Sequence, residues 1–147
     1  MKRTLFIFCL LVYSSSAFSH GTKENFDYSI IFGGCFEQDI LSLKINNTTI
    51  FDHYKVDNKS AIKKGNLSLT QANSKINVFY NGRQIIKRKV NFNYYLNISL
   101  TINQQVNKYV IDLRKGKIIL VDFCSKQDNV SAKKLAVEQL QEEVIFM

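Results

Sequence analysis

From Asn91 to Ile102 polar and apolar residues alternate without a break. Phe92, Tyr94, Leu96, Ile98, Leu100 and Ile102 fall on one side, and Asn91, Asn93, Tyr95, Asn97, Ser99 and Thr101 on the other. A strand sends successive side chains to opposite faces, whereas a helix would scatter these residues around its circumference. The segment is therefore predicted as a strand whose apolar face covers a core.

Other segments repeat the pattern. Leu41, Leu43 and Ile45 alternate with Ser42 and Lys44, and Asn46-Asn47 then leads into Thr48-Thr49-Ile50-Phe51. This reads as a hairpin, because Asn tolerates the positive φ that tight turns require. The run from Lys75 to Tyr80 meets Asn81-Gly82, the strongest short hairpin signal, and continues from Arg83 to Val90. Tyr109, Ile111 and Leu113 alternate with Lys108, Val110 and Asp112. Lys115-Gly116 then turns into a run from Lys117 to Phe123 that is apolar on both faces, as a central strand would be.

Seven or eight strands are expected between about Asp27 and Cys124, several joined by hairpins and without βαβ alternation. The predicted class is all-β: a small antiparallel β-sandwich, immunoglobulin-like in the loose sense, or a barrel. The chain has no Trp, so the tryptophan that packs on an immunoglobulin disulfide has no counterpart. The polar stretch from Ile50 to Gly65 reads as a long connection. After Cys124, Ser131 is placed to cap a helix over Ala132 to Ile145. Leu135, Val137, Leu140, Val144 and Ile145 would form its apolar stripe.

The N-terminus carries an export signal. Lys2 and Arg3 precede the apolar run from Leu5 to Tyr13, and Ser14 to Ser19 form a small, polar stretch. The apolar run is about half of the ~20 residues that a spanning helix needs. Ala17 and Ser19 occupy the −3 and −1 positions for a cut before His20. The predicted organisation is thus a signal peptide over 1–19, a β-sandwich over 20–127 and a helical segment over 128–147. A secreted or periplasmic location is expected, with no transmembrane segment after signal removal.

Two cysteines, Cys35 and Cys124, remain after that cut, and an even count in an exported chain favours a disulfide between them. The formal charge of +8 falls to +6 once Lys2 and Arg3 leave. A basic exported protein meets acidic glycans, anionic lipid or acidic proteins. The densest basic group is Arg83, Lys87, Arg88 and Lys89, the candidate partner-binding residues. Arg114, Lys115 and Lys117 form a second group. Without an aromatic–basic module motif, nucleic acid is disfavoured as partner.

Cleavage before His20 would create a terminus with two nitrogen ligands on one residue, the α-amino group and the imidazole. With His53 these make a three-nitrogen set suited to Cu(II). The arrangement resembles the histidine brace of secreted copper proteins, including polysaccharide monooxygenases and small periplasmic copper carriers on β-sandwiches. That resemblance implies copper as cofactor, with Asp52 beside His53 as a further ligand or support.

Hydrolytic chemistry has less support. His53 is the one histidine for a nucleophile–His–acid set, and no nucleophile elbow surrounds any Ser. Six N-x-S/T sequons begin at Asn46, Asn47, Asn58, Asn66, Asn97 and Asn129. Random placement would give roughly 1.7, so glycosylation in a eukaryotic secretory pathway is one reading of the excess. The leading expectation is a non-enzymatic exported binding module. Its partner would be an envelope protein, a secreted enzyme it inhibits, or a glycan. Copper binding, and a structural or assembly subunit docking through its C-terminal segment, are the alternatives.

Overall fold

Ten strands build two sheets in the computed structural model, which describes residues 26–57, 67–125 and 133–141. In chain order they are β1 (Tyr28–Phe32), β2 (Asp39–Ile45), β3 (Thr48–Val56), β4 (Leu67–Ala72) and β5 (Lys75–Tyr80). Then come β6 (Arg83–Lys89), β7 (Tyr95–Ile102), β8 (Gln105–Asp112), β9 (Ile118–Ser125) and β10 (Lys133–Leu140). A 3-10 turn over Leu113–Lys115 separates β8 from β9. The larger sheet has the order β10-β9-β1-β4-β5-β6, and the smaller β3-β2-β7-β8. Every pairing is antiparallel except β1 with β9, which is parallel. No helix among the described residues is long and apolar enough to cross a membrane.

Four two-residue hairpins set the registers. Their central residues are Asn46-Asn47, Asn73-Ser74, Asn81-Gly82 and Asn103-Gln104, all with φ between 47° and 74°. Positive φ at both positions gives the turn whose twist matches the right-handed twist of the strands. The inner faces then meet in one core. Leu96, Ile98, Leu100 and Ile102 of β7 lie against Tyr28, Ile30 and Phe32 of β1 and Leu67 and Leu69 of β4 in a single buried cluster. Phe32 contacts Phe36 and Phe51 edge-on, and Phe36 stacks on Phe123. The predicted sandwich is thus present, as two sheets rather than a closed barrel.

Four expectations are corrected. The predicted C-terminal helix is a strand across Lys133–Leu140, paired antiparallel with β9. Without β10, β9 would present open backbone donors and acceptors, and pairing outweighs the modest helix propensity of this segment. Leu135 and Val137 pack on the core while Lys134, Ala136 and Glu138 are exposed, so a short period-two pattern was present. The residues proposed as its cap and tail, Ser131, Val144 and Ile145, lie outside the described residues. Among the described residues the strands number ten, against the expected seven or eight. The connection expected over Ile50 to Gly65 begins as strand: β3 runs to Val56 and buries Ile50, Phe51 and Val56. Finally, β7 starts at Tyr95, and Phe92 and Tyr94 are exposed rather than core.

Cys35 and Cys124 form a disulfide, with Cα atoms 5.1 Å apart and a sequence separation of 89. It joins the chain just after β1 to β9, which lies beside β1 in the sheet.

Candidate anionic-partner surface

Charge is segregated along the chain. Residues 58–111 contain no Asp or Glu and nine Lys or Arg. Within this stretch β4, β5 and β6 form one half of the larger sheet, with β6 at its edge. Lys89 lies directly opposite Lys75, and Lys87 opposite Asn77. Those three lysines share the outer face, because the neighbouring Ile76 and Val78 are buried. Like charges opposite one another destabilise a strand pair. Lysines on β6 alone would be explained by protection of an open edge, but Lys75 is on the inner neighbour.

The four basic residues singled out from the sequence do not form one cluster. Arg88 pairs with buried Ile76 and so projects from the other side of the sheet. Ile85 is an extra residue, since Gln84 faces Phe79 and Ile86 faces Val78. Arg83 sits beside the Asn81-Gly82 turn, six residues and ~20 Å from Lys89 at the usual strand rise. The row is Lys75, Lys87 and Lys89.

The second basic group comes to the same end of the sandwich. Val90 N–H donates to the carbonyl of Ser74 (3.0 Å), and Leu113 N–H to the carbonyl of Tyr94 (2.8 Å). Tyr95 pairs with Asp112. The chain from Lys89 to Tyr95 thus bridges from the β4–β5 turn to the 3-10 turn carrying Arg114 and Lys115. Arg114 is neutralised locally: Nε and Nη2 each donate to Asp112 at 2.8 Å. That hydrogen bonding pulls the Asp112 carboxyl down to about 2. The guanidinium also lies over the Tyr95 ring and bonds its hydroxyl. Lys75, Lys87, Lys89 and Lys117 make no ion pair with a carboxylate among the described residues, whereas the charge of Lys115 acts on Asp112.

Between the two basic groups stands an aromatic ridge. Phe92 and Tyr94 meet edge to face at 5.1 Å, and Tyr94 and Tyr95 are 58% and 45% exposed. The backbone beneath is fixed. Gln71, fully buried on β4, donates Nε2 to the carbonyl of Val90, and Asn93 Oδ1 accepts from Tyr95 N–H. The Gln71 Oε1 atom has no hydrogen-bond partner among the described residues. A buried polar side chain, left half-satisfied, therefore anchors the start of an exposed aromatic segment. The alternation from Asn91 to Ile102 predicts Phe92 and Tyr94 on the inner face, and the structure exposes both. The signal against it was Tyr95, because three aromatics within Phe92-Asn93-Tyr94-Tyr95 cannot all share one face of a strand.

The histidine expectation meets a different geometry. Asp52 and His53 form a bulge in β3 opposite Ser42 of β2, and His53 has φ of 50°. Ser42 Oγ donates to Asp52 Oδ1 at 2.6 Å, His53 Nδ1 lies 3.1 Å from Asp52 Oδ2, and His53 N–H donates to Ser42 Oγ. The Ser42 and His53 hydrogen bonds lower the Asp52 carboxyl below its ordinary value. With the carboxylate in the middle, Ser42 gives its proton to Asp52 rather than to an imidazole, so this is not a nucleophile–base pair. His53 lines a shallow cavity of about 340 Å³ with Ile40, Ser42 and Thr101. Its proposed copper partner, His20, lies outside the described residues. Among the described residues no group of three His, Cys, Asp or Glu side chains is placed to hold a metal.

No family model, no curated protein and no solved structure matches the chain.

Proposed function

We propose that the chain is an exported, non-enzymatic binding module that holds an acidic macromolecule at the cationic end of its sandwich. The observation supporting this reading is the set of four lysines, Lys75, Lys87, Lys89 and Lys117, that make no ion pair among the described residues around an anchored aromatic ridge. A like-charged pair across two strands costs stability, and an anionic partner offsets that cost on binding. The Cys35–Cys124 disulfide suits an oxidising compartment, where the partner is a glycan or an envelope protein.

The test is retention on, and titration with, acidic polymers at graded salt. Lys75→Glu, Lys87→Glu and Lys89→Glu together should weaken binding at least tenfold and flatten its salt dependence. Arg83→Glu alone, at the far end of β6, should change it less than twofold. Unchanged binding in the triple variant would refute the reading.

A further inference from the structure

The outer face of the smaller sheet carries a second basic feature that the sequence did not suggest. Lys44 of β2 and Lys108 of β8 both lie opposite Ser99 of β7, in one row across three strands. At the usual strand spacing the two lysine backbones stand ~10 Å apart with the small Ser99 between them. The result is a trough of about 450 Å³ with Lys44 and Lys108 on its flanks, Ser99 in its bed, and Asn47, Asn97 and Val110 around it. Val110 is 71% exposed. Among the described residues neither lysine makes an ion pair with a carboxylate. Asp52 of β3 is held by Ser42 and His53, Asp112 of β8 by Arg114, and Asp39 of β2 is buried.

We infer that this trough binds a uronic acid-containing oligosaccharide. The inference rests on the reading of the chain as a binder of acidic macromolecules, and it names the class. A carboxylate above Ser99 is within reach of both lysines. Hydroxyl and amide groups that donate and accept, on Ser99, Asn47 and Asn97, match vicinal sugar hydroxyls. The exposed Val110 side chain offers a small apolar contact for the C–H face of a pyranose. Of the apolar residues at the trough, Ile98 is buried and Tyr109 packs on the core, which leaves Val110 and the neighbouring Val106 as exposed side chains, a smaller apolar centre than a protein interface needs. A single-stranded nucleic acid would need a free stacking platform in the trough, and Tyr109, the aromatic residue that lines it, is partly buried against the core. The aromatic ridge begins at Tyr95, which shares the outer face of β7 with Asn97 and Ser99, so a linear polymer can run from the ridge into the trough along one strand.

The experiment is calorimetric titration of the disulfide-bonded protein with a galacturonic acid hexamer, a neutral maltohexaose, inorganic polyphosphate and a dT12 oligonucleotide. The uronate hexamer should bind, the neutral hexamer should not, and Lys44→Gln with Lys108→Gln should weaken uronate binding at least tenfold. Ser99→Gln, which fills the bed without altering charge, should do the same, while circular dichroism reports an unchanged fold. If Lys87→Gln with Lys89→Gln abolishes binding and the trough variants do not, the trough assignment is wrong and the cationic-end reading stands. If polyphosphate or dT12 binds through Lys44 and Lys108 and the uronate does not, the sugar class is wrong. If no acidic polymer binds the parent protein, both readings fall.

Discussion

The ammonium of Lys133, the first residue of β10, lies 3.1 Å from Oδ2 of Asp39, the first residue of β2. One ion pair thereby ties the edge strand of the larger sheet to an inner strand of the smaller one. Its surroundings are complete. Lys133 Nζ also donates to the carbonyl of Cys35, and Asp39 accepts from the Asn103 side-chain amide and from Glu37 N–H. Asp39 is buried, so removing its cation leaves a carboxylate in a low-dielectric site. Lys133→Met should cost about 2–3 kcal/mol in urea unfolding, somewhat less than for a fully buried pair. A double-mutant cycle with Asp39→Asn should show coupling above ~0.5 kcal/mol.

The disulfide closes a long loop. Replacing both Cys35 and Cys124 with Ser should lower unfolding free energy by about 4 kcal/mol on the chain-entropy account. Chemical denaturation of the two proteins measures the difference. A loss under ~1 kcal/mol would mean that the denatured chain is already held together at these positions.

Gly82 isolates a backbone effect. It has φ of +74°, and a Cβ built there meets nothing within 4 Å. Gly82→Ala should therefore destabilise by ~1 kcal/mol through left-handed strain alone, with no packing contribution. Thermal unfolding of the variant reads this directly.

Asp122 gives a pH signature. Burial first, and then the neighbouring Glu138 charge, raise its carboxyl above the ordinary value. A raised acid favours folding while protonated. That contribution is complete below the unfolded value of 3.8 and is lost as pH rises through the folded value. Asp122→Asn should accordingly raise the melting temperature at pH 7 and leave it nearly unchanged at pH 3. Equal shifts at both pH values would assign the effect to packing near Gly33, whose hypothetical Cβ meets this carboxylate.

Strand content and the cysteine pair were legible because they depend on local alternation and on cysteine count. Leu96 to Ile102, Leu41 to Ile45 and the turns at Asn46-Asn47 and Asn81-Gly82 all appear where the pattern put them. The errors arose where tertiary context decides. Lys133 to Leu140 has helix-forming residues, but the open side of β9 recruits it as a strand. Phe92 and Tyr94 continue the alternation of β7, yet Gln71 and Leu113 hold that segment away from the sheet. Of the site, the basic groups could be located but not their juxtaposition. Lys75 and Lys89, or Lys44 and Lys108, face one another only through register, which a single sequence does not display.

The parallel pairing of β1 with β9 bears on the order of assembly. β1 lies between β9 and β4, so the first strand to be synthesised gains one of its neighbours only when residues 118–125 are available. β4 can pair with β5, and β7 with β8, through short turns long before that. Contacts this distant in sequence slow folding, and the Cys35–Cys124 bond has no partner to form with until the same moment. The larger sheet and its disulfide therefore close late, after the hairpins β4–β5 and β7–β8.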